Sequence, residues 1–220
     1  YSTFSLGILY CTSEANPYAG SGGLADVAAS LPKTLRQRGI DCRVVMPLYG
    51  TIPQYLRDGM HYITNFTVPT AWRRQYCGVF WAEYDGVTFY FIDNEYYFKR
   101  SGLYGFYDDA ERFSFFSRAI LEMLPYIDFH PDLIHTNDWQ TALVPTYYYF
   151  FYSKNPWYYN IKSLYTIHNI QYQGMYGWEV NTECVGIPED CTKMLEMDGK
   201  LNMSKGAIET STRVSTVSPS

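Results

Sequence analysis

The chain has 220 residues; 47% of them are hydrophobic, 19% are aromatic, and 17 basic and 22 acidic residues give a formal net charge of −5. This length and apolar content are ample for one sizeable folded domain and exclude a disordered chain. The negative charge and the lack of a Lys/Arg-rich run argue against a protein that binds duplex nucleic acid.

The first predicted elements are a buried strand and an amphipathic helix. Residues 6–11 (LGILYC) are apolar and strand-forming, and they are too few for a helix. Apolar side chains then recur at helical spacing: Leu24, Val27, Ala28, Leu31 and Leu35. Gly39 is placed to end this helix, and residues 41–46 (DCRVVM) predict a second buried strand before Pro47. Two parallel strands joined in this way require helices on the faces of their sheet.

The loop between the first strand and the first helix contains Gly20, Ser21, Gly22 and Gly23. Glycine lets backbone N–H groups approach a ligand closely, and the following helix adds unpaired amides and the positive end of its dipole. Phosphate is the ligand that this arrangement favours. The loop lacks the GxGxxG and GxxxxGK[ST] spacings, so the pattern alone is equally typical of a tight turn between strand and helix.

The middle of the chain changes from β-rich to helical. Residues 76–84 and 87–92 flank Asp85-Gly86, a dipeptide typical of hairpin turns, so residues 60–92 predict a β-hairpin insert or an antiparallel sheet edge. Residues 108–125 then predict a helix, with acidic residues at its start and an apolar face.

The last third of the chain returns to short strands. Residues 132–135 (DLIH) and 163–167 (SLYTI) predict two of them, with a helix through residue 147 after the first. A polar and aromatic loop (QYQGMYGWE) follows, then a predicted helix at residues 200–211 and a last strand at residues 213–217. The pattern therefore predicts an α/β fold with a mostly parallel sheet and helices on its faces.

Four polar segments follow the carboxyl ends of the predicted parallel strands. They are residues 13–23, residues 137–140, His168-Asn169 and Ser218-Pro219. Open α/β sheets bind their ligands at this edge. The convergence of four separate segments predicts a binding cleft there.

Two residues of this edge have alternative explanations. His168 fits a general base or a ligand contact, but a lone His at a strand end is also typical of an ordinary hydrogen-bonding residue. Asp138 fits a helix N-cap. Its neighbours Trp139 and Gln140 add an aromatic face and an amide, a combination suited to sugar hydroxyls. No metal-ligand spacing and no GxSxG elbow occur, so we expect neither a metal site nor nucleophilic catalysis.

The five cysteines form no CxxC pair, which favours a reducing, cytoplasmic setting. No stretch is long and apolar enough to span a membrane, and no signal-peptide pattern is present. The chain begins without Met and stops directly after a predicted strand. We expect it to be part of a longer protein.

Five blocks of the sequence resemble one family, the bacterial glycogen synthases and plant starch synthases. They are SEANPYAGSGGLADVAASLPKTLRQRGIDCRVVMPLY, DNEYYFKRSGLYG, DLIHTNDWQTALVP, SLYTIHNIQYQGMYG and GKLNMSKGAIETSTRVSTVSPS. Members are retaining glucosyltransferases with two facing Rossmann-like domains, the GT-B type. The resemblance implies that residues 1–220 are the amino-terminal, acceptor-side domain and that the carboxyl-terminal nucleotide-sugar domain is absent.

The resemblance also implies roles for single residues. His168 would be the catalytic residue that holds the transferred glucose. The donor, a nucleotide-diphosphate glucose, would contact a set of loop residues: Gly20, Ser21, Gly22, Gly23 and Asn169. The acceptor, an α-1,4-glucan, would contact another set: Asp138, Trp139, Gln140 and Arg100. Two positions depart from the family pattern, because Gly20 replaces the Lys of the KTGGL motif and Phe98 stands where Tyr is common.

The implied reaction is transfer of glucose from ADP-glucose or UDP-glucose to the non-reducing end of the glucan with retention, without a cofactor. The isolated domain is predicted to be inactive. The implied compartment is the cytoplasm, or the plastid in a plant or alga. Two alternatives are a non-catalytic α-glucan-binding module and a nucleotide-dependent oxidoreductase, although the latter lacks its glycine fingerprint and an acidic residue after the second strand.

Overall fold

Eleven strands and six α-helices form the part of the chain that the computed structural model describes, residues 6–217. The strands are β1 (Gly7–Cys11), β2 (Asp41–Pro47), β3 (His61–Thr70), β4 (Arg73–Tyr84), β5 (Val87–Asp93), β6 (Leu133–Asn137), β7 (Lys162–Ile167), β8 (Met175–Tyr176), β9 (Glu196–Met197), β10 (Lys200–Asn202) and β11 (Arg213–Thr216). The helices are α1 (Gly23–Gln37), α2 (Gln54–Arg57), α3 (Glu95–Phe98), α4 (Asp109–Met123), α5 (Leu143–Tyr147) and α6 (Met203–Thr210).

Eight of the strands form one sheet in the order β11-β7-β6-β1-β2-β5-β4-β3. Each neighbouring pair from β11 to β5 is parallel, whereas β4 is antiparallel to β5 and to β3. The predicted mostly parallel α/β sheet is therefore confirmed. The region predicted as a β-rich insert is the antiparallel edge of the same sheet. Its hairpin turns at Asp85 and Gly86, both at positive φ, as the turn chemistry predicts.

The central parallel strands β1 and β2 are largely buried because helices cover the sheet. Leu9, Tyr10 and Cys11 of β1 are fully buried, as are Val44, Val45 and Met46 of β2. Helix α1 packs against β2 and β5, and α4 packs against β3, β4 and β5. Helix α1 is continuous through its buried Pro32. Across residues 6–217, no helix has the length and apolar character needed to cross a bilayer.

Two predicted boundaries differ from the structure. The strand predicted to stop at residue 135 continues to Asn137 as β6, which hydrogen-bonds to β1 and β7 on either side. The helix predicted from residue 200 begins only at Met203, because residues 200–202 form β10 between β8 and β9. The Asn202 side chain accepts a hydrogen bond from the Lys205 amide and so caps α6.

Candidate active site

A cavity of about 800 Å³ lies at the carboxyl edge of the sheet. Its walls come from the loop after β1, the first turns of α1, residues 104–109 and the segments that follow β6 and β7. Val217, directly after β11, also lines it. Three of the four predicted segments thus meet in one cavity, and the fourth, Ser218-Pro219, lies outside the described residues.

The glycine loop forms one wall. Ser21, Gly22 and Gly23 line the cavity, and a Cβ added at Gly22 or Gly23 would meet no atom within 4 Å. The amides of Gly22, Gly23 and Leu24 donate to no acceptor among residues 6–217, as expected for the first turn of a helix. This wall therefore presents free N–H groups at the positive end of α1.

Gly20 is placed differently from the other loop glycines. A Cβ there would come within 2.6 Å of the Ala25 Cβ and 2.7 Å of the Asn16 Oδ1. Asn16 is itself held, because its side-chain amide donates to Asp26 at 2.7 Å. Gly20 is not among the cavity-lining residues. The loop therefore requires glycine at this position to pack against the start of α1.

The buried carboxylate of Glu14 holds the glycine loop in place. Its two oxygens accept hydrogen bonds from the Ser21 amide at 3.3 Å and the Ser21 hydroxyl at 2.8 Å. The Tyr104 hydroxyl donates to Glu14 at 2.8 Å and lies 2.6 Å from the Ser13 hydroxyl. Glu14 is only 2% exposed. This network ties the loop after β1 to the segment before α4.

Asp138 has a strained backbone and an unusual role for its side chain. Its φ of 60° and ψ of 178° lie in a region that is essentially restricted to glycine. Asp138 occupies the N-cap position of the turn Trp139–Thr141, but its side chain makes no capping hydrogen bond. Its Oδ1 instead accepts from the amides of His168 at 2.7 Å and Asn169 at 3.2 Å. The carboxylate therefore joins the end of β6 to the segment after β7 rather than capping a helix.

The imidazole of His168 lines the cavity and is held by Asn137. The His168 Nε2 lies 2.8 Å from the Asn137 Oδ1. Burial lowers the pKa of His168, and the Asp138 carboxylate opposes this effect. Burial also raises the pKa of Asp138, against the effect of the two amides that donate to it. The structure thus brings the predicted residues Asp138, His168 and Asn169 into direct contact.

Trp139 and Gln140 lie beside Asp138 but are mostly buried. The Trp139 ring is 8% exposed and packs edge-on against Phe113 at 5.4 Å and Tyr176 at 6.1 Å. Gly174 closes over this ring, since a Cβ there would approach it to 2.9 Å. Gln140 is 9% exposed, and its Oε1 is buried without a hydrogen-bond partner in the structure. Only the margins of these two side chains reach the cavity.

Arg100 is, like Gly20, a predicted contact residue that does not line the cavity. Its guanidinium makes a two-point ion pair with Asp108, at 2.5 and 2.8 Å, and donates to the Tyr96 carbonyl. It also lies 5.1 Å from the centre of the Phe106 ring. Arg100 therefore braces residues 96–108, the segment from which Tyr104 reaches Glu14.

Five further residues of the cavity were not singled out from the sequence: Glu14, Tyr104, Gly105, Asp109 and Tyr172. Glu14 stands at the end of β1, where an acidic residue next to the glycine loop is a usable signal. Tyr172 is 64% exposed and belongs to the aromatic loop, in which no single ring was distinguished. Tyr104 and Asp109 lie far from the other motifs in the chain, and only the fold brings them together.

The electrostatic character of the cavity is acidic. Glu14, Asp109 and Asp138 line it, and among residues 6–217 no Lys or Arg does. Asp109 is engaged by the amides of Gly105 and Phe106 and by Arg112. No group of three or more His, Cys, Asp or Glu side chains in the described part of the chain is arranged to hold a metal ion. Such a wall suits hydroxyl groups, which donate to carboxylates, and supplies backbone amides for an anion.

The fold and sequence are similar to those of known glucan synthases. The glycogen synthases of Bacillus cereus (strain B4264) and Caldicellulosiruptor saccharolyticus are 49% and 47% identical over 218 and 215 residues, with 97% of this chain and 45% of each relative covered. The catalytic domain of starch synthase IV from Arabidopsis thaliana, bound to ADP and acarbose, superposes with a TM-score of 0.85 at 30% identity. That match covers 97% of this chain and 45% of the other.

The fold therefore corresponds to that of a GT-B glycosyltransferase, as predicted. The chain spans about 45% of the length of the curated relatives it matches. A family model described as the starch synthase catalytic domain matches residues 7–220. The chain belongs to the starch synthase catalytic domain family of glycosyltransferases.

Proposed function

We propose that the protein containing this chain transfers glucose from a nucleotide-diphosphate glucose to the non-reducing end of an α-1,4-glucan, with retention at the anomeric carbon. Family membership supports the reaction class, and the relatives named glycogen synthase support the glucan product. The starch synthase IV structure contains ADP and acarbose, which supports ADP-glucose as the donor. The observation that carries the proposal is a single cavity that combines free helix amides with Asp138 and His168.

The donor phosphates would lie against the glycine loop. The amides of Gly22 and Gly23 have no acceptor among the described residues and stand at the positive end of α1. Helix N-termini of this kind bind phosphate. Ser21 and Asn169 would add polar contacts from either side. Because Gly20 has no room for a side chain, the cationic groups for the diphosphate would come from elsewhere in the protein.

The acceptor glucan would lie against Asp138 and the edges of Trp139 and Gln140. Asp138 Oδ1 is already engaged by two amides, which leaves Oδ2 to accept a sugar hydroxyl. Exposed Tyr172 supplies an aromatic face for the sugar ring. Arg100 would support this side indirectly by holding the segment that carries Tyr104.

His168 would hold the transferred glucose through its ring, with its carbonyl near the anomeric carbon. Negative charge grows on the departing diphosphate, and free amides aimed at it stabilise that charge. A second domain would close over the cavity and exclude water, which otherwise competes with the acceptor. We propose accordingly that residues 1–220 form the acceptor-side domain and that this domain alone is inactive.

As part of this proposal we place the protein in the cytoplasm, since its five cysteines are unpaired thiols, or in the plastid of a plant or alga.

A histidine substitution in the full-length protein tests the proposal. His168→Ala is expected to lower glucan elongation from ADP-glucose by about a hundredfold, the size typical for loss of one preorganised polar group. The free energy of unfolding should change little. Release of ADP or UDP and growth of labelled maltohexaose are the measurements, each with ADP-glucose and UDP-glucose as donor.

Exposed His130, which contacts Trp157 away from the cavity, provides the matched control. His130→Ala should elongate glucan at the unsubstituted rate. Unchanged turnover in His168→Ala would refute the role of His168. Tight maltohexaose binding without release of nucleotide from either donor would favour a non-catalytic glucan-binding module instead.

A further inference from the structure

The orientation of the Asn137 side-chain amide is fixed by its surroundings. Asn137 is fully buried, and its Nδ2 donates to the Cys11 carbonyl at 3.0 Å and faces the His135 carbonyl at 3.5 Å. A carbonyl only accepts hydrogen bonds, so the amino group must point toward Cys11. The Asn137 Oδ1 therefore faces the His168 Nε2, 2.8 Å away.

This orientation determines which nitrogen of His168 carries the proton. The Oδ1 of an amide only accepts, so the His168 Nε2 must donate to it. Burial lowers the pKa of His168, which favours the neutral ring with one proton. The Nδ1 is then the unprotonated nitrogen.

The Nδ1 edge of the His168 ring is open to the cavity. The His168 Nδ1 receives no hydrogen bond from residues 6–217 and is not one of the fully buried unpartnered atoms. Because His168 lines the cavity, a ligand can reach this nitrogen. A lone pair in that position accepts a hydrogen bond and repels another acceptor.

We infer that Asn137 is a positioning residue that holds His168 as the Nε2-protonated tautomer, so that Nδ1 accepts a hydrogen bond from a hydroxyl of the bound sugar. This inference rests on the proposed function for the identity of the ligand. The inferred protonation state of the His168 ring does not depend on the proposed function. Asn137 contacts the cavity only through His168, since it is fully buried behind it.

The charged and titratable groups near His168 are few. Asp138 follows β6 and His135 lies within it, and both interact electrostatically with His168. The other titratable residues of the cavity are Glu14, Tyr104, Asp109 and Tyr172. Burial lowers the pKa of His135 to about 4, so His135 is neutral near pH 7. Because the side-chain amide of Asn137 is uncharged, it adds no further charge next to the His168 ring, which already lies beside Asp138.

The full-length protein labelled with ¹⁵N-histidine allows a direct test by NMR without any ligand. The expected spectrum at pH 7 shows His168 as a single neutral tautomer with its proton on Nε2. A proton on Nδ1, or two tautomers in exchange, would overturn the inference. Absence of glucosyl transfer would overturn the proposed function and leave this spectrum unchanged, so the two failures can be told apart.

Substitution of Asn137 by Asp then tests the positioning role. The carboxylate would favour the charged imidazolium, and we expect the pH at which His168 takes up a second proton to rise by about 1–3 pH units. The pH profile of kcat should shift with it. If Asn137→Asp does not fold, Asn137→Ser removes the acceptor from reach, and the two neutral tautomers should then exchange.

Asn181 offers a matched control, because it is also buried and uses its amide to donate to and accept from Ile187. Asn181→Asp should leave the His168 spectrum and the pH profile of kcat unchanged. An unaltered His168 in a folded Asn137 variant, or an equal change in Asn181→Asp, would overturn the inference.

Discussion

Asp138 combines an unfavourable backbone conformation with hydrogen bonds that stabilise it. A residue other than glycine at its φ of 60° and ψ of 178° carries about 1–3 kcal/mol of strain. The amides of His168 and Asn169 donate to its carboxylate and so offset part of that strain. Such strain persists only where surrounding contacts enforce it, and it occurs often at ligand sites.

A pair of substitutions separates the backbone from the carboxylate. Both Asp138→Ala and Asp138→Gly remove the two hydrogen bonds, but only glycine relieves the strain. We expect Asp138→Gly to be the more stable of the two by about 0.5–2 kcal/mol, which is the strain of about 1–3 kcal/mol less roughly 0.5–1 kcal/mol for the extra backbone entropy of glycine. Urea unfolding of both variants measures this difference.

Exposed Ser30 in α1 provides a control, for which the stability difference between the alanine and glycine variants should have the opposite sign. There the glycine variant should be the less stable one, by roughly 0.5–1 kcal/mol, because glycine is unfavourable inside a helix. An Asp138→Gly variant less stable than Asp138→Ala by the same roughly 0.5–1 kcal/mol would show that the backbone at this position relaxes without cost.

At the scale of elements, β6 is linked to its neighbouring strands through the buried polar side chains of His135 and Thr166. The His135 Nε2 lies 2.7 Å from the Thr166 hydroxyl of β7, which lies 2.7 Å from the Ser215 hydroxyl of β11. His135 also contacts the Tyr10 ring of β1 edge-on. This chain of contacts holds the four parallel strands β1, β6, β7 and β11 in register below the cavity.

The burial of His135 predicts a pH dependence of stability. Burial lowers its pKa to about 4, with a further contribution from His168, whereas an unfolded chain gives His a pKa of about 6.5. Above pH 6.5 His135 is neutral in both the folded and the unfolded state, so its titration does not lower the free energy of unfolding there. Between pH 6.5 and 4 only the unfolded state gains the proton, so the free energy of unfolding falls, by about 3 kcal/mol in total.

His135→Gln keeps a polar partner for Thr166 and removes the titration. The variant should show a flatter dependence of unfolding free energy on pH between 4 and 6.5 than the unsubstituted protein. His130→Gln, at an exposed site, should keep the original slope. Parallel pH curves for His135→Gln and the unsubstituted protein would contradict the prediction.

The elements that the sequence predicted well are those with strong local signals. The β1-α1-β2 unit combines an apolar run, a glycine loop and a helical repeat, and the hairpin at Asp85 has its turn dipeptide. Strand β10 was predicted as helix because its three residues acquire strand structure only by pairing with β8 and β9. The contact between Glu14 and Tyr104 was not predicted either, since 90 residues separate the two and no local pattern encodes the tertiary contact.

Two residues of the apolar stripe predicted for α1 do not lie in the core. Leu24 and Val27 have the spacing of a buried stripe, yet both line the cavity, while Ala25, Ala28 and Pro32 are the buried residues of α1. Periodicity indicates which residues share a face but not what covers that face. The first turns of α1 are thus partly uncovered where the cavity opens.

At the scale of the whole molecule, the two ligand-facing walls differ in electrostatic character. One wall presents the free amides at the start of α1, and the other carries the carboxylates of Asp109 and Asp138. Among residues 6–217 no Lys or Arg lines the cavity to balance them. An uncharged sugar is therefore accommodated more readily than a diphosphate, whose charge the carboxylates oppose.

This imbalance predicts how the 220-residue chain binds its two ligand classes by itself. We expect maltohexaose to bind measurably and ADP or UDP to bind more weakly, since backbone amides alone face the phosphates. Added salt should weaken the maltohexaose complex little, because that ligand is uncharged. Isothermal titration with maltohexaose, ADP and UDP, each at low and high salt, makes the comparison.

The contribution of the second domain that we propose is measured by the same experiment on the full-length form. If that domain supplies the cations for the diphosphate, ADP affinity should rise by at least tenfold in the full-length protein and maltohexaose affinity should change less. Glucan elongation should appear only there. Tight nucleotide binding, or elongation, by the 220-residue chain would show instead that the amides of Gly22 and Gly23 suffice to hold the donor.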